Sequence, residues 1–252
     1  MSDDSTPLDG RRALVTGASA GIGRETARAL ARDGADVAVA ARRRERLEDL
    51  AVELTDEYGA TAVPVQADVA EPAQVTAMVE TAADALGGLD LVVANAAIGT
   101  SNDLAVHELP ADQYRQVMAV NCDGTFFTAR ETLPHLLETA GTLVFVGSFA
   151  GKFPRPGGPV YAATKFWTRG FALSLSAAYG DRGVAVSVVN PSEVRTEFGK
   201  EYRTETNAER LPPGEVSEPE DVAAAVAYAA SEEAPNTVQE LDLFRRDKFS
   251  GL

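Results

Sequence analysis

Ser148, Tyr161 and Lys165 are the residues of this chain best placed to do chemistry. Tyr161 and Lys165 stand four apart in Tyr-Ala-Ala-Thr-Lys, which puts a phenol and an ammonium on one face of a helix, one turn apart. A free phenol ionises near pH ~10, and a neighbouring cation lowers that value. The pair is therefore expected to give and take a proton near neutral pH. Ser148 supplies a hydroxyl that could hold a reacting oxygen beside the phenol. Pro159 marks a helix start, so Tyr161 should lie in the first turn, where the positive end of the helix dipole adds to Lys165 in favouring phenolate.

The frame that must position these groups has 252 residues, 45% hydrophobic and 24% charged, a length ordinary for one α/β domain. A chain of this size buries enough apolar surface to fold without metal or disulfide staples. The single Cys122 has no internal partner for a disulfide and fits a reducing compartment. It reads as buried packing. No Cys/His cluster suggests a metal, and His107 and His135 lack partners at useful spacing. The acidic, polar start is unlike a signal peptide, and no apolar run reaches the ~18–20 residues that cross a bilayer. The expected location is cytoplasmic. The net charge of −15 argues against nucleic acid and anionic membranes as partners, and disfavours an acidic protein. Acidic surfaces with so few lysines (152, 165, 200 and 248) suggest salt adaptation, against the plainer reading of a mildly acidic protein from a GC-rich genome.

Apolar runs alternate with helical patterns along the chain. Strands are expected near 13–15, 36–40, 61–66, 89–94, 142–146, 184–189 and 238–244. Helices are expected near 22–33, 43–58, 71–86, 111–138 (bent or stopped at Pro134), 160–180 and 221–230. Such alternation implies α/β architecture, a parallel sheet of about seven strands covered by helices on both faces. The whole chain, 1–252, reads as one domain, with a polar N-terminal tail (1–9), a loop at about 191–219 and a C-terminal tail (244–252).

The first strand runs into Thr16-Gly17-Ala18-Ser19-Ala20-Gly21-Ile22-Gly23. Glycines let a backbone approach phosphates, and the next helix directs its free amides at them. No Gly-Lys-Ser/Thr closes the turn, so it is not a P-loop. A dinucleotide is the better reading than a purely steric turn. An acid at the end of the second strand would hold the 2′-hydroxyl of NAD; an arginine accommodates a 2′-phosphate. Here the sequence is Ala40-Ala41-Arg42-Arg43-Arg44. The expected cofactor is NADP(H), with Arg42 as leading contact and Ser19 or Arg43 assisting.

Taken together, Thr-Gly-x-x-x-Gly-Ile-Gly (16–23), Asp68-Val69, Asn95-Ala96-Ala97, Asn121, Ser148, Tyr161-x-x-x-Lys165 and Pro191 through Thr196 resemble the short-chain dehydrogenase/reductases, over about 10–243. The resemblance implies a Rossmann-type doubly wound sheet and a catalytic tetrad. In it Tyr161 is the general acid or base, and Lys165 lowers its pKa and holds the nicotinamide ribose. Ser148 stabilises the substrate oxygen, and Asn121 positions a water linking Lys165 to solvent. It further implies that Thr16, Gly17, Ser19, Gly21, Ile22 and Gly23 cradle the cofactor. Asp68 would contact the adenine beside Val69, Asn95 and Ala96 would line the cofactor, and Pro191, Val194 and Thr196 would border the nicotinamide.

Two departures from the family pattern are Ser192 after Pro191 and Ala97 in place of glycine. The tail, Phe244 to Leu252, lacks a common family ending; it is either solvated or docked on another subunit. Trp167 and Phe171 read as core or subunit contact, and the family usually forms dimers or tetramers. The expected reaction interconverts a carbonyl and a secondary alcohol; the loop at about 191–219 is the expected substrate loop, and Phe198, Tyr202 and Leu211 among its many charges suggest a small or medium, partly polar molecule. Reduction of 3-oxoacyl groups on acyl carrier protein and oxidation of a hydroxy acid or sugar alcohol are alternatives. An inactive NADP-binding sensor is the alternative of another class, and the retained tetrad speaks against it.

Overall fold

The computed structural model describes residues 6–101 and 104–250; the first five and last two residues of the expected tails lie outside it. Seven strands form one sheet: β1 (Arg12–Thr16), β2 (Asp36–Ala41), β3 (Ala62–Gln66), β4 (Leu91–Ala94), β5 (Thr142–Val146), β6 (Ala185–Pro191) and β7 (Glu240–Leu243). Their order is β3-β2-β1-β4-β5-β6-β7, and every pairing is parallel. Helices α1 (Gly21–Arg32), α2 (Arg44–Tyr58) and α8 (Pro219–Ser231) cover one face. The other face carries α3 (Pro72–Leu86), α4 (Ala111–Met118), α5 (Gly124–Thr139) and α6 (Pro159–Tyr179). A single turn, α7 (Asn207–Arg210), lies in the loop after β6.

Strand residues alternate between the two layers because successive side chains leave a strand on opposite sides. Val144 and Val146 enter the first core, Leu143 and Phe145 the second. Phe145 is wholly buried, worth about 2–3 kcal/mol. With both faces covered, strands such as Thr142–Val146 are buried at every position, which is why they read as continuous apolar runs.

β1 is flanked by β2 and β4, so the direction of strand addition reverses there. Chains following β1 and β4 part to opposite faces and leave a crevice at the carboxyl ends of these strands.

Three elements differ from expectation. The helix begun at Ala111 runs on to Thr139 but widens into a π turn at Ala119–Asp123. Pro134 does not stop it, because Pro134 sits on the exposed side, where water can satisfy the carbonyl it leaves unbonded. From Thr6 on, the expected N-terminal tail is docked: Leu8 is buried in the core and its amide bonds Asp33 O at 2.8 Å. The C-terminal tail packs on its own chain, with Phe244 and Phe249 against Phe149 and Phe153.

Candidate active site

A cleft of about 730 Å³ opens along the carboxyl ends of the strands. Gly17, Ser19, Gly21, Ile22 and Gly23 line one end; Ser148, Tyr161 and Lys165 line the other. Arg42, Asp68, Val69, Asn95, Ala96, Pro191, Val194 and Thr196 also line it, so the sequence-predicted residues converge on one site. Thr16 and Asn121 stand behind this wall and brace it. His107 and His135 do not line the cleft.

The glycine turn is built by close approach. Gly17 has φ +71°, and a Cβ there would lie 2.7 Å from Asn95 Nδ2. Asn95 in turn donates to Thr16 O at 2.8 Å, while Thr16 Oγ1 accepts from the Asn95 and Ala96 amides at 3.1 and 3.2 Å. These bonds lock the end of β4 to the end of β1. Gly21, φ +54°, lies under Thr196, and a Cβ would come within 3.0 Å of its methyl. The turn thus keeps a bare backbone surface and the start of α1 facing the cleft, a fit for a dinucleotide's phosphates. Asp68 sits after β3, its carboxylate accepting from the Ala70 amide at 3.0 Å. Val69 packs where a Cβ on Gly124 would clash, which fixes α5 against this wall.

Beyond β2 the arginines divide. Arg44 pairs with Glu48 on the exposed face of α2. Arg42 is half-exposed and 4.0 Å from Glu201. Arg43 donates through Nε and Nη2 to Ser19 Oγ, at 3.0 and 2.9 Å, and through Nη1 to Glu197 at 2.8 Å. Arg43, expected only to assist, is the arginine tied to the glycine turn.

The acid–base end is set by β5 and α6. Gly147 continues β5 toward Ser148, and any Cβ there would strike Asn190 Oδ1 at 2.2 Å. Ser148 Oγ accepts from the Ala150 amide at 3.1 Å, and Ser148 lines the same end of the cleft as Tyr161. Gly158, φ +74°, turns the chain into Pro159 at the first turn of α6. Tyr161 and Lys165 are both buried, not a surface pair.

Their electrostatics differ from expectation. Burial holds the Tyr161 phenol above its ordinary range; the nearby Ser148 hydroxyl and the charges of Arg155 and Arg203 oppose this without reversing it. Burial brings the Lys165 ammonium down to about 8. Lys165 Nζ bonds Val146 O at 2.7 Å and lies 5.9 Å from the centre of the Tyr161 ring. The shared helix face aligns the two Cβ atoms, but the long lysine stem carries its charge toward the end of β5.

Asn121 sits in the π turn. Its Oδ1 accepts from the Ile98 amide at 2.9 Å, and its Nδ2 donates to Ile98 O and Thr164 Oγ1, both at 3.0 Å. Both amide hydrogens are thereby used. The side chain ties the stretch after β4 to α6, and acceptor capacity for a water rests with its oxygens.

The loop after β6 lies over the cleft. Glu197 accepts from Arg43 and from Arg46, the latter at 2.9 Å. Phe198 lies 5.4 Å from the Tyr161 ring, and the Arg203 guanidinium stacks 5.4 Å over Phe198. Arg203 also donates to Thr100 O at 3.2 Å. Lys248 from the tail pairs with Glu193 and sits 4.3 Å over the Phe149 ring. Ser192 needs no glycine geometry: its amide bonds Leu243 O at 3.0 Å and its backbone is not left-handed. Phe198, named in the sequence as part of the substrate loop, lines the cleft; residues 155, 197 and 248 were not singled out, and each reaches it through a loop or tail that carries no spacing signature.

Residues 11–207 match the family model for short chain dehydrogenases. The chain is 34% identical to glycine betaine reductase of Emericella nidulans over 96% of its own length and 19% of that much longer protein. The structure of an alcohol dehydrogenase from the archaeon Thermococcus sibiricus, complexed with 5-hydroxy-NADP, is similar at a TM-score of 0.84 and 30% identity, covering 92% of this chain and 95% of that one. A 3-ketoacyl-(acyl-carrier-protein) reductase from Brucella melitensis, complexed with NADH, is similar at 0.84 and 29%, covering 94% and 98%. This chain belongs to the short-chain dehydrogenase/reductase family of oxidoreductases. Its seven-stranded parallel sheet is the Rossmann-type fold of that family.

Proposed function

We propose that the protein is an NADP(H)-dependent oxidoreductase that interconverts a carbonyl and a secondary alcohol. The observation that carries this reading is that Ser148, Tyr161 and Lys165 line one end of a cleft whose other end holds the glycine turn and Arg43. A bound nicotinamide cofactor supplies or accepts the hydride. The chain's own groups handle the oxygen. In reduction, the Ser148 hydroxyl orients the carbonyl oxygen, and Tyr161 gives it a proton as the alkoxide forms. With burial holding the phenol protonated, Tyr161 is charged with the proton it must donate. Such help is worth roughly 10²–10⁴-fold.

Lys165 would hold the ribose of a bound nicotinamide nucleotide, and its positive charge supports the phenolate left behind. Asn121 holds the π turn on which a reprotonating water would be carried. Arg43 and Arg42, with no acid at the end of β2, support NADP(H) over NAD(H). The exposed rings of Phe126, Phe166 and Trp167 on α5 and α6 support a homodimer or homotetramer. Among the described residues no helix is long and apolar enough to cross a membrane. The single Cys122 supports a reducing, cytoplasmic setting, and the acidic, lysine-poor composition supports salt adaptation.

NADPH absorbance decay against a panel of ketones, aldehydes and oxo acids, at low and molar potassium chloride, tests the reading. Turnover that requires Tyr161 supports it. Tight NADPH binding with no turnover of any carbonyl favours a sensor instead. Loss of activity in high salt counts against salt adaptation.

A further inference from the structure

We propose that the substrate carries a carboxylate and that Arg155 binds it, which makes the protein an oxo-acid reductase or, in reverse, a hydroxy-acid dehydrogenase. The inference rests on the oxidoreductase reading above and specifies its substrate.

The chain carries a net charge of −15, yet the cleft beside Tyr161 is lined by Arg155 and Arg203. The loop glutamates that also line the cleft are engaged elsewhere. Glu193 pairs with Lys248, Glu197 with Arg43 and Arg46, and Glu201 lies nearest Arg42. Asp68 is at the end of β3, on the cofactor side. Arg203 is fixed in place by Thr100 O and Asn207 and stacked on Phe198. Arg155 differs from all of these. Among the described residues it has no ion pair and no hydrogen bond, though it is half-buried and faces the cleft.

A partly buried guanidinium without a partner offers a planar fork that matches a carboxylate. Its place in the chain gives the geometry. Arg155 lies on the loop that joins Ser148 to Tyr161 and lines the same cleft, so its guanidinium is on the wall of the chamber where a carbonyl held at those two hydroxyls would sit. The charge of Arg155 is felt at the phenol itself. A carboxylate one or two carbons from the carbonyl would complete the fork. The reaction balances without touching that group. The carbonyl carbon gains a hydride, its oxygen takes the Tyr161 proton, and the carboxylate is unchanged. An acyl thioester, which has no carboxylate at this position, would lack the contact.

The test compares small 2- and 3-oxo acids with their methyl esters, using NADPH and the full chain. The unmutated protein should favour the acid by about 10–100-fold in kcat/KM, the range for a hydrogen bond to a charged group. Arg155→Gln should collapse the acid-to-ester preference toward one, mainly through KM, and Arg155→Lys should restore part of it. Equal use of acid and ester by the unmutated protein overturns the carboxylate site and leaves the oxidoreductase reading standing. An acid preference untouched in Arg155→Gln likewise overturns the assignment to Arg155. No turnover of acid, ester or any other carbonyl overturns both readings.

Discussion

Glu197 and Arg43 meet at 2.8 Å across the mouth of the cleft, one on the loop after β6 and one at the end of β2. The same guanidinium is bonded to Ser19 in the glycine turn. A cofactor 2′-phosphate binding at Arg43 would therefore meet a carboxylate already in place. Glu197→Gln should tighten NADPH binding by several-fold, and Arg43→Glu should weaken it by about 10–100-fold while weakening NADH less. Fluorescence titration with both cofactors measures this. An unchanged NADPH-to-NADH ratio in Arg43→Glu would return the role to Arg42.

Tyr161→Phe removes the proposed proton donor but keeps the ring that packs on Phe198. Turnover should fall by roughly 10²–10⁴-fold with the NADPH dissociation constant little changed. Near-normal turnover in this variant would overturn the mechanism.

Burial of Lys165 ties stability to pH. Its ammonium ionises near 8 in the folded protein, against 10.5 for an unperturbed lysine, because burial disfavours the charge. Between these values the unfolded chain binds more protons, so stability rises with pH across that window. Below pH 8 the buried charge costs the fold about 3 kcal/mol at most. Lys165→Met should therefore raise Tm at pH 7, and the gain should shrink as pH climbs from 8 toward 10.5, while activity is lost. Thermal melts across pH decide; a lower Tm at pH 7 would show that the bond to Val146 O outweighs the burial cost.

Gly17→Ala tests the turn. The new methyl needs a left-handed backbone and a place 2.7 Å from Asn95 Nδ2. The cost should be about 1–3 kcal/mol, seen as a lower Tm, with cofactor affinity falling as well. Gly59→Ala is the control: it shares a φ of +71° but has open space around it, so any loss it shows comes from backbone strain alone.

What the sequence disclosed and what it withheld divide along physical lines. The strands were legible because burial on both faces makes them unbroken apolar runs. The glycine turn and the Ser148, Tyr161 and Lys165 set were legible because their spacing is local. Charge balance was not. The phenol is held above its ordinary range because burial outweighs its neighbours, and no spacing reports burial. The partners of Arg43 show the same limit, since Glu197 lies 154 positions away. The π turn at Ala119–Asp123 was hidden because its residues suit an α-helix equally well. The tail read as solvated or shared with a neighbour, yet Phe244 and Phe249 join Phe149 and Phe153 across more than ninety positions.

The strand order has a consequence for synthesis. A chain emerging from the ribosome makes β1 first, lays β2 and then β3 on one side of it, and lays β4 through β7 in turn on the other. Every new strand meets an edge already formed, and none has to insert between two that are paired. The sheet can therefore zip outward as it is translated, in step with the tendency of nascent chains to fold from the N-terminus. The groups through Lys165 emerge before β6 and the loop that covers them, so the nascent chain carries Ser148, Tyr161 and Lys165 before it has a roof to keep water off them.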